Sequence, residues 1–404
     1  MKILFIHQNF PAQFIHLAPA LAKRGHEVHV LTISQRPLPT GVTAHSYTIK
    51  RISSTVIHPW LLDLETKVIR GEAVFEAASE LKKCGFYPDV IVAHPGWGES
   101  LFVKEVWPDA RLGLYCEFFY VADKGDVGFD PEFRLVDDDN PGRLKMKNAN
   151  QLLHLLNADQ GLSPTYYQRS VFPQQFHHKI DVIHDGIDTQ LVRPNPAIEM
   201  TLNGNKLTRQ DEIITFVNRN LEPMRGYHIF MRALPKILRE RPQARVIIVG
   251  GDEVSYGTPP PAGKNWKAIF LDEVRGQLDM NRVHFVGKLG YPDFIQLLQL
   301  SSLHIYLTYP FVLSWSLLEA MSAGCTILGS DTPPVREAIA HNETGRLFDF
   351  FDIDALATQT IDLLQNPAER VRLGKAAREH IIRHYDLAAT CLPQQIQWVE
   401  RLKD

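Results

Sequence analysis

The sequence predicts an α/β protein built from two doubly wound domains. Its 404 residues are too many for one compact core, and two domains of roughly 150–200 residues are expected. Short β-branched runs alternate with longer helical patterns, which is typical of βαβ units and parallel sheets. This alternation occurs in two successive series. In such folds, ligands bind beyond the carboxyl ends of the strands.

The first series begins at the amino terminus. A helix over Gln13–Arg24, closed by Gly25, separates its first two strands. The predicted strands are Lys2–His7, Glu27–Thr32, Val90–His94, Leu112–Cys116 and Gly161–Ser163.

The second series is predicted to begin at Lys179–His184, with the join between domains in the Gly-containing turn Asp185–Asp188. The further strands are Ile213–Asn218, Arg245–Gly250, Val283–Val286, Leu303–Leu307 and Thr326–Ser330. The segment Asn366–Asp404 is predicted to be helical, with a break around Tyr385–Asp386. We therefore predict domains at 1–185 and 186–375, followed by a helical segment at 376–404.

Composition excludes several classes of function. The net charge of −3 argues against nucleic acid as the main partner. No apolar run approaches the ~20 residues of a membrane span, and the apolar start indicates a first strand rather than a signal peptide. The four cysteines are scattered without metal spacing, as expected for free thiols in a reducing compartment. We expect a cytoplasmic protein without a metal site, and peripheral membrane contact stays open.

The segment Phe311–Gly324 is the most informative. It follows the predicted strand Leu303–Leu307 and opens a helix that carries one carboxylate, Glu319, among apolar residues. A strand, a loop and a helix N-terminus together make an anion site, because free N–H groups and the helix dipole point the same way. A buried Glu319 needs a partner, and a ligand hydroxyl is one candidate.

Two arginines, Arg219 and Arg225, lie between a predicted strand and the helix Tyr227–Arg239. Guanidinium groups in this position suit a diphosphate, although surface salt-bridging is the alternative. Gly251 follows another strand and allows a ligand to approach closely. Gly287 and Lys288 follow a third strand, where the lysine is either a ligand contact or an ordinary surface charge.

Polar residues also end the strands of the first half. His94, Trp97 and Glu99 follow one strand, and Glu117 follows the next. His7 and Asn9 end the first strand at the same level. We expect these residues to line a cleft, against the alternative that the histidines are structural; none of the spacings matches a zinc site or a Ser/His/Asp triad.

The irregular stretch Tyr120–Lys145 is either a lid or substrate loop, or a solvated insertion. Within it, the run Asp137–Asp139 indicates a solvated acidic turn rather than a metal site.

These motifs resemble those of the GT-B glycosyltransferases of family 4, the retaining nucleotide-sugar enzymes. The likeness covers nearly the whole chain and is strongest in the second half. It rests there on His184–Asp188, Arg219–Gly226, Gly250-Gly251, Val286-Gly287, Leu318–Met321, Gly329–Asp331 with Arg336-Glu337, and Thr344-Gly345, and in the first half on Phe10–Leu31 and Pro88–His94.

The resemblance implies two facing Rossmann-like domains with an interdomain cleft, the first binding the acceptor and the second the nucleotide sugar. Glu319 would accept hydrogen bonds from the ribose, and Arg219 and Arg225 would neutralise the leaving diphosphate. Backbone around Gly287, Lys288 and Leu289, with Gly251 nearby, would hold the base. The N–H groups of Val312, Leu313, Ser314 and Trp315 would hold the donor sugar and distal phosphate.

The resemblance also implies that His94 lies near the donor sugar across the cleft, and that the last helix crosses back onto the first domain. His7, Asn9, Trp97, Glu99 and Glu117 would face the acceptor. No cofactor or metal is expected, because arginines and helix N-termini stabilise the leaving diphosphate.

The sequence departs from the family in three places. The earlier glutamate of the family's pair would fall on Phe311, and the Gly-Phe-Gly after it is Val312-Leu313-Ser314. The glycine pair after the first strand is replaced by Pro11-Ala12-Gln13. Donor-sugar choice and acceptor geometry therefore stay open.

The predicted function is retaining transfer of a sugar, with a UDP-sugar favoured, to a hydroxyl acceptor in bacterial polysaccharide or glycoconjugate synthesis. One alternative is a sugar-nucleotide 2-epimerase that uses His94, Glu99 and Glu117 as acid and base groups. The other is a nucleotide-sugar-binding protein that lost catalysis with the change at Phe311.

Overall fold

The computed structural model describes residues 1–54, 56–122, 125–134, 140–202 and 204–403. The acidic run Asp137–Asp139 lies outside the described residues. Contacts divide the chain into two compact units. The first comprises Met1–Gly128, Arg134–Gly186 and Ala388–Asp404, and the second comprises Phe129–Phe133 and Ile187–Leu387.

The first unit contains a parallel sheet with the strand order β3-β2-β1-β4-β5-β6-β7. Its strands are β1 (Lys2–Ile6), β2 (Glu27–Thr32), β3 (Val42–Ser46), β4 (Val90–Ala93), β5 (Arg111–Tyr115), β6 (Gln160–Ser163) and β7 (Ile180–Val182). Its helices are α1 (Leu17–Lys23), α2 (Leu62–Lys83), α3 (Val103–Val106), α4 (Pro141–Lys147), α5 (Ala149–Asn157) and α6 (Tyr166–Ser170).

Both faces of this sheet are covered, and therefore β1 is apolar at nearly every position. Ile3 and Phe5 belong to one core cluster, and Leu4 and Ile6 belong to the other. The alternation follows from the period of two in a strand, which sends successive side chains to opposite faces. Trp398, near the end of the chain, belongs to the same cluster as Ile3 and Phe5.

Three predictions for this unit need correction. The strand predicted at Lys179–His184 is β7; it pairs with β6 in the first sheet and does not begin the second series. The predicted helix Gln13–Arg24 is a 3-10 turn at Ala12–Phe14 followed by α1. Strand β3 was missed because its side chains are largely exposed at the sheet edge and show no continuous apolar run.

The second unit contains a parallel sheet with the strand order β12-β11-β10-β13-β14-β15 and an antiparallel hairpin. The hairpin is β8 (Glu199–Leu202) with β9 (Asn205–Thr208), and the sheet strands are β10 (Ile213–Asn220), β11 (Arg245–Gly251), β12 (Val283–Gly287), β13 (Leu303–Tyr306), β14 (Ile327–Ser330) and β15 (Arg346–Phe348). The helices are α7 (Tyr227–Glu240), α8 (Trp266–Val274), α9 (Tyr291–Leu300), α10 (Trp315–Ser322), α11 (Pro333–Ala338), α12 (Ile353–Gln365) and α13 (Pro367–His384).

The last helical segment is interrupted near the predicted position. Helix α13 ends at His384, a π-helical turn spans Leu387–Cys391, and α14 (Leu392–Arg401) follows and packs in the first unit. In the part of the chain that the structure describes, no helix is both long and apolar enough to cross a membrane.

In each sheet, the strand order reverses beside one central strand, which is β1 in the first sheet and β10 in the second. In the first unit, the chain runs from β1 to β2 and β3, and then continues with β4 on the other side of β1. In the second unit, it runs from β10 to β11 and β12, and then continues with β13 on the other side of β10. Ligands in open α/β sheets bind at such switch points, outside the carboxyl ends of the strands. These two places are where functional residues are expected.

Candidate functional site

Arg219 and Arg225 lie on one side of the switch point of the second sheet. Arg219 is an exposed residue at the end of β10. Arg225 is buried, and its Nη1 donates to Thr308 Oγ1 at 2.7 Å and to the carbonyl of Val312 at 3.0 Å. Thr308 and Val312 belong to the loop between β13 and α10. Arg225 therefore ties together the two loops that flank the switch point.

Gly226 is required at the start of α7. Its φ of +68° lies in the left-handed region that favours glycine, and a Cβ there would lie 2.3 Å from Leu307 Cβ. The sharp turn that Gly226 allows directs the chain from Arg225 into the helix. A larger residue would displace the loop that carries the arginines.

An aromatic residue that sequence reasoning missed, Tyr256, lies beside both guanidinium groups. Its ring centroid is 5.7 Å from the Arg219 guanidinium carbon and 5.5 Å from that of Arg225. The Phe311 ring lies 5.1 Å from that of Tyr256 and 5.6 Å from the Arg225 guanidinium. The arginines thus lie against two aromatic faces, which attract cations.

Glu222 explains how the loop with Tyr256 is held. Its carboxylate is buried and accepts the backbone N–H groups of Ser255, Tyr256 and Gly257 at 3.1–3.3 Å. A buried carboxylate that accepts several N–H groups fixes the loop in one conformation, because leaving either side unpaired is costly. The sequence signal was the run Asn220–Pro223, which was recognised only as part of a family motif.

Glu319 lies in α10, on the other side of the switch point. Only 7% of its surface is exposed, and the hydroxyl of Tyr291 donates to its Oε1 at 2.7 Å. Burial raises the pKa of this carboxyl to about 7, although the hydrogen bond from Tyr291 acts in the opposite direction. Tyr291 was not predicted from the sequence. The pair places a proton acceptor with a strongly perturbed pKa at the strand ends, which is typical of binding sites.

The N-terminus of α10 is capped within the chain. The hydroxyl of Ser314 accepts the N–H of Ser316 at 3.3 Å, and the N–H of Ser314 donates to the buried Tyr306 hydroxyl at 2.9 Å. Leu313 is buried, and Trp315 is the first residue of the helix and 41% exposed. These hydrogen bonds fix the backbone of the segment that precedes α10. The carbonyl of Val312 in the same segment accepts from Arg225.

The predicted base-contacting residues lie at the ends of β11 and β12. A Cβ on Gly251 would lie 2.4 Å from Lys288 Cε and 2.5 Å from Asn220 Oδ1, so a larger residue would displace these two side chains. Gly287 has a φ of +67° and open space around its Cα. Lys288 is exposed and pairs with Glu253 at 2.7 Å, and Leu289 packs against the core. The structure thus brings Gly251 and Lys288 together and leaves Gly287 accessible.

A histidine–carboxylate network surrounds the switch point of the first sheet. Buried His7 accepts the N–H of Asn9 on Nδ1 at 2.9 Å, so its Nε2–H donates to Gln13 Oε1 at 3.0 Å. Gln13 in turn donates to Glu117 Oε1 at 3.2 Å. Burial, aided by the charge of His94, lowers the pKa of His7 to about 2, so the ring stays neutral.

His94 lies at the centre of this network. Its Nδ1 accepts the N–H of Gly96 at 3.1 Å, so the proton of the neutral ring is on Nε2. Nε2 is buried, lies 3.4 Å from Glu117 Oε2 and has no hydrogen bond of good geometry among the described residues. The ring centroids of His7 and Trp97 lie 5.1 and 4.6 Å from that of His94. In this tautomer His94 is suited to donate a hydrogen bond to a ligand oxygen.

Glu99 lies deeper than the other predicted residues. Its carboxyl is 1% exposed, accepts from the Tyr47 hydroxyl at 3.1 Å and is 3.7 Å from Arg70 Nη1. Burial raises its pKa. Gln13, Tyr47 and Arg70 were not predicted. Gln13 was noted only as a replacement for the family's glycine, Tyr47 directly follows the missed strand β3, and Arg70 lies within α2.

One group in the second unit has the composition of a metal site. Ligand atoms of Asp130, Glu132 and His228 lie within 4.8 Å of one another. However, Arg232 donates to both oxygens of Glu132 at 2.7 Å, and the Tyr309 hydroxyl donates to Asp130 at 2.9 Å. These bonds engage the carboxylates and hold residues 129–133 in the second unit.

The chain is similar in sequence to known glycosyltransferases. Residues 24–192 match the family model described as glycosyl transferase family 4 group, and residues 201–380 match that of glycosyl transferases group 1. The glycogen synthase of Mycobacterium tuberculosis is 23% identical over 420 residues, which cover 96% of this chain and 91% of that protein.

Two solved structures share the fold over nearly the whole length. The HepE protein of Anabaena, in complex with UDP and glucose, superposes with a TM-score of 0.69 at 17% identity and covers 99% of this chain and 100% of its own. The sucrose-phosphate synthase of Thermosynechococcus elongatus superposes with a TM-score of 0.75 at 17% identity, covering 100% of this chain and 99% of its own. With the two sequence matches, this likeness confirms the predicted fold and family: the chain is a glycosyltransferase of GT-B fold that belongs to the group 1, family 4 enzymes.

Proposed function

We propose that this glycosyltransferase transfers a hexose from a UDP-sugar to a hydroxyl acceptor with retention of anomeric configuration. The observation that carries the proposal is the arrangement at the second switch point. Arg219 and Arg225 lie on one side of it, and the buried carboxyl of Glu319 lies on the other. A nucleoside diphosphate presents matching groups: an anionic diphosphate for the arginines and a ribose with two hydroxyl donors for the carboxylate.

In the proposed mechanism, negative charge develops on the leaving diphosphate as the glycosidic bond breaks. The guanidinium groups of Arg219 and Arg225 stabilise that charge, and because Arg225 is held by Thr308 and Val312 it needs little reorganisation. Ribose hydroxyls donate to Glu319, and the Tyr291 hydroxyl keeps the carboxylate oriented. A diphosphate oxygen takes the acceptor proton in a same-face displacement, so no enzymic nucleophile is needed.

The first unit supplies the acceptor site in this proposal. The chain His7–Gln13–Glu117 fixes the Glu117 carboxylate, and His94 offers Nε2–H at the same strand ends. A carboxylate acceptor beside an N–H donor suits sugar hydroxyls, which both donate and accept. Trp97 provides an aromatic face against which a sugar ring can pack.

UDP is favoured because the Anabaena HepE structure contains it. The family resemblance supports a hydroxyl acceptor and a role in bacterial polysaccharide assembly, and the scattered cysteines support a cytoplasmic location. We also propose that the reaction needs no divalent cation, because two arginines serve the diphosphate. Activity that persists in EDTA would support this, and activity lost in EDTA and restored by Mg²⁺ would refute it.

The proposal is tested by nucleoside diphosphate release from a panel of UDP-, GDP- and ADP-sugars, with and without candidate acceptors. We expect slow hydrolysis of one sugar nucleotide that Glu319→Ala abolishes, and an unchanged anomeric configuration in the transferred sugar by NMR. Formation of a free epimerised sugar nucleotide without acceptor would identify a 2-epimerase. Tight binding without release under any condition would identify a binding protein.

A further inference from the structure

The second unit contains a cavity at the amino ends of its sheet strands, whereas the proposed donor site lies at their carboxyl ends. Arg209, Ser302 and Thr326 line it, and they precede the amino ends of β10, β13 and β14. Helix α13 supplies much of the remaining wall. The volume is about 720 Å³, within the range of roughly 300–1,000 Å³ that holds small molecules. The residues that we assigned to the donor line the carboxyl ends of the strands and do not reach this cavity.

The cavity wall is strongly positive. Arg209, Arg370, Arg378 and Lys375 line it, against one acidic residue, Glu379. Lys375 and Glu379 approach to 3.9 Å, whereas no ion pair of the three arginines occurs among the described residues. Three guanidinium groups around one cavity without carboxylate partners leave a surplus of positive charge.

The arginines also crowd one another. Burial lowers the pKa of Arg370, the charges of Arg241 and Arg209 act in the same direction, and the charge of Glu212 opposes them. Burial, with the charge of Arg193, lowers the pKa of Arg378. Like charges near each other are destabilising unless a counter-charge is present. Glu212 offsets part of this repulsion at Arg370, and an anion in the cavity would offset more of it.

Part of each guanidinium group has a structural role. Nη1 of Arg209 donates to the carbonyl of Gln299 at 2.9 Å, and Nη1 of Arg370 donates to those of Leu363 and Leu364 at 2.7 and 2.6 Å. Each guanidinium has five N–H donors. For Arg209 and Arg370, the hydrogen bonds to described residues engage only this one nitrogen. Arg378 is more fully engaged: its Nη1 donates to the carbonyls of Val192 and Ser322 at 3.1 and 2.6 Å, and its Nη2 donates to that of Thr189 at 3.2 Å. The remaining donors of Arg209 and Arg370 can bind a ligand without disturbing the helix ends.

We propose that this cavity binds a soluble phosphate monoester of about the size of a sugar phosphate. A phosphate group accepts several guanidinium hydrogen bonds at once, which suits the arginines. The apolar side chains of Pro194, Val371 and Ile382 line the same cavity and can contact the carbon skeleton of the ligand. This site is separate from the nucleotide site and does not depend on the proposed transfer reaction.

The test is calorimetric titration of the full chain with glucose 6-phosphate and with inorganic phosphate. Gln210 and Lys375 line the cavity, are exposed and allow charge changes without disturbing the core. We expect Gln210→Glu and Lys375→Glu each to weaken glucose 6-phosphate binding roughly tenfold or more, because each places a carboxylate that repels the phosphate at the cavity wall. The matched changes Gln277→Glu and Lys264→Glu, at exposed positions outside the cavity, should leave it unchanged.

Three results would overturn the proposal. One is the absence of saturable binding to the wild-type chain by either probe. Another is glucose 6-phosphate binding that Arg219→Gln abolishes and Gln210→Glu leaves intact, which would place the phosphate at the carboxyl ends of the strands. The third is binding only to phosphatidylcholine vesicles that contain phosphatidic acid, without binding of glucose 6-phosphate, which would indicate a lipid headgroup. Unchanged circular dichroism and melting of the ligand-free variants would show that the substitutions do not act through folding.

Discussion

The buried carboxyl of Glu319 gives a prediction that separates stability from function. Its pKa rises from 4.5 to about 7 because only 7% of the residue is exposed to water, and the hydrogen bond from Tyr291 offsets part of this rise. At about 1.4 kcal/mol for each pKa unit, ionising this group costs about 3–4 kcal/mol more in the folded protein than in the unfolded chain. Glu319→Gln keeps the shape and the oxygen that accepts from Tyr291, and it removes the charge.

The sign follows from proton binding. Between pH 4.5 and 7 the folded state holds the Glu319 proton more tightly than the unfolded state does, so the stability of the wild-type protein falls as the pH rises through this window. The Glu319→Gln variant has no titratable group at this position, so its stability does not have this dependence on pH. We therefore expect the variant to match the wild type near pH 4.5 and to be more stable above pH 7, with a melting temperature higher by up to about 10 °C.

The assay is calorimetric melting across this pH range, with Glu343→Gln as a control at an exposed position. The same variant should bind UDP about tenfold or more weakly, because a neutral amide accepts ribose hydrogen bonds less strongly than a carboxylate does. A difference in melting temperature between the wild type and Glu319→Gln that stays constant from pH 4.5 to 8 would refute the burial argument. Unchanged UDP affinity would refute the ribose role.

Three further changes test other parts of the site. Arg219→Gln should lower turnover by roughly 10²-fold without loss of stability, whereas Arg225→Gln should lower both, because only Arg225 is buried and bonded to the neighbouring loop; equal melting temperatures of the two variants would contradict this. Phe311→Glu should change the order of preference in a panel of donor sugars, because it places a carboxylate beside Arg225 in place of a ring 5.6 Å away; an unchanged order would show that the ring does not set donor choice. Gln13→Leu should raise the KM for the acceptor more than it lowers kcat, because it removes the hydrogen bond that Gln13 donates to Glu117; initial rates at varied acceptor concentration measure both.

The sequence was sufficient for the parts of the fold that depend on periodicity. The strands β2, β4, β10, β11 and β13 were predicted within two residues, because buried parallel strands are continuous apolar runs. Exposed strands lack that signal, and β3 and the β8–β9 hairpin were therefore missed. The assignment of β7 failed for another reason: a strand does not indicate which sheet it will join, and here its partner is β6.

The site shows the same limit. Arg219, Arg225 and Glu319 were identified because they follow strands or interrupt an apolar helix. Tyr256 and Tyr291 were not, because their roles come from loops and helices that only the folded chain brings to the switch point. Phe311 was identified as a departure from the family, but its contact with Tyr256 could not be read from the sequence. Residues that hold another functional side chain in place are the hardest to predict from the sequence.

The central claim is that the carboxyl ends of β10 and β13 bind a nucleoside diphosphate through Arg219, Arg225 and Glu319. Calorimetric titration of UDP into the wild-type chain and the Arg219→Gln variant tests it most directly, because Arg219 is exposed and its loss should leave the fold intact. We expect one site per chain in the wild type and roughly tenfold or greater weakening in the variant. Equal UDP affinity in the two proteins would contradict the account. So would a wild-type chain that binds neither UDP nor any other nucleoside diphosphate.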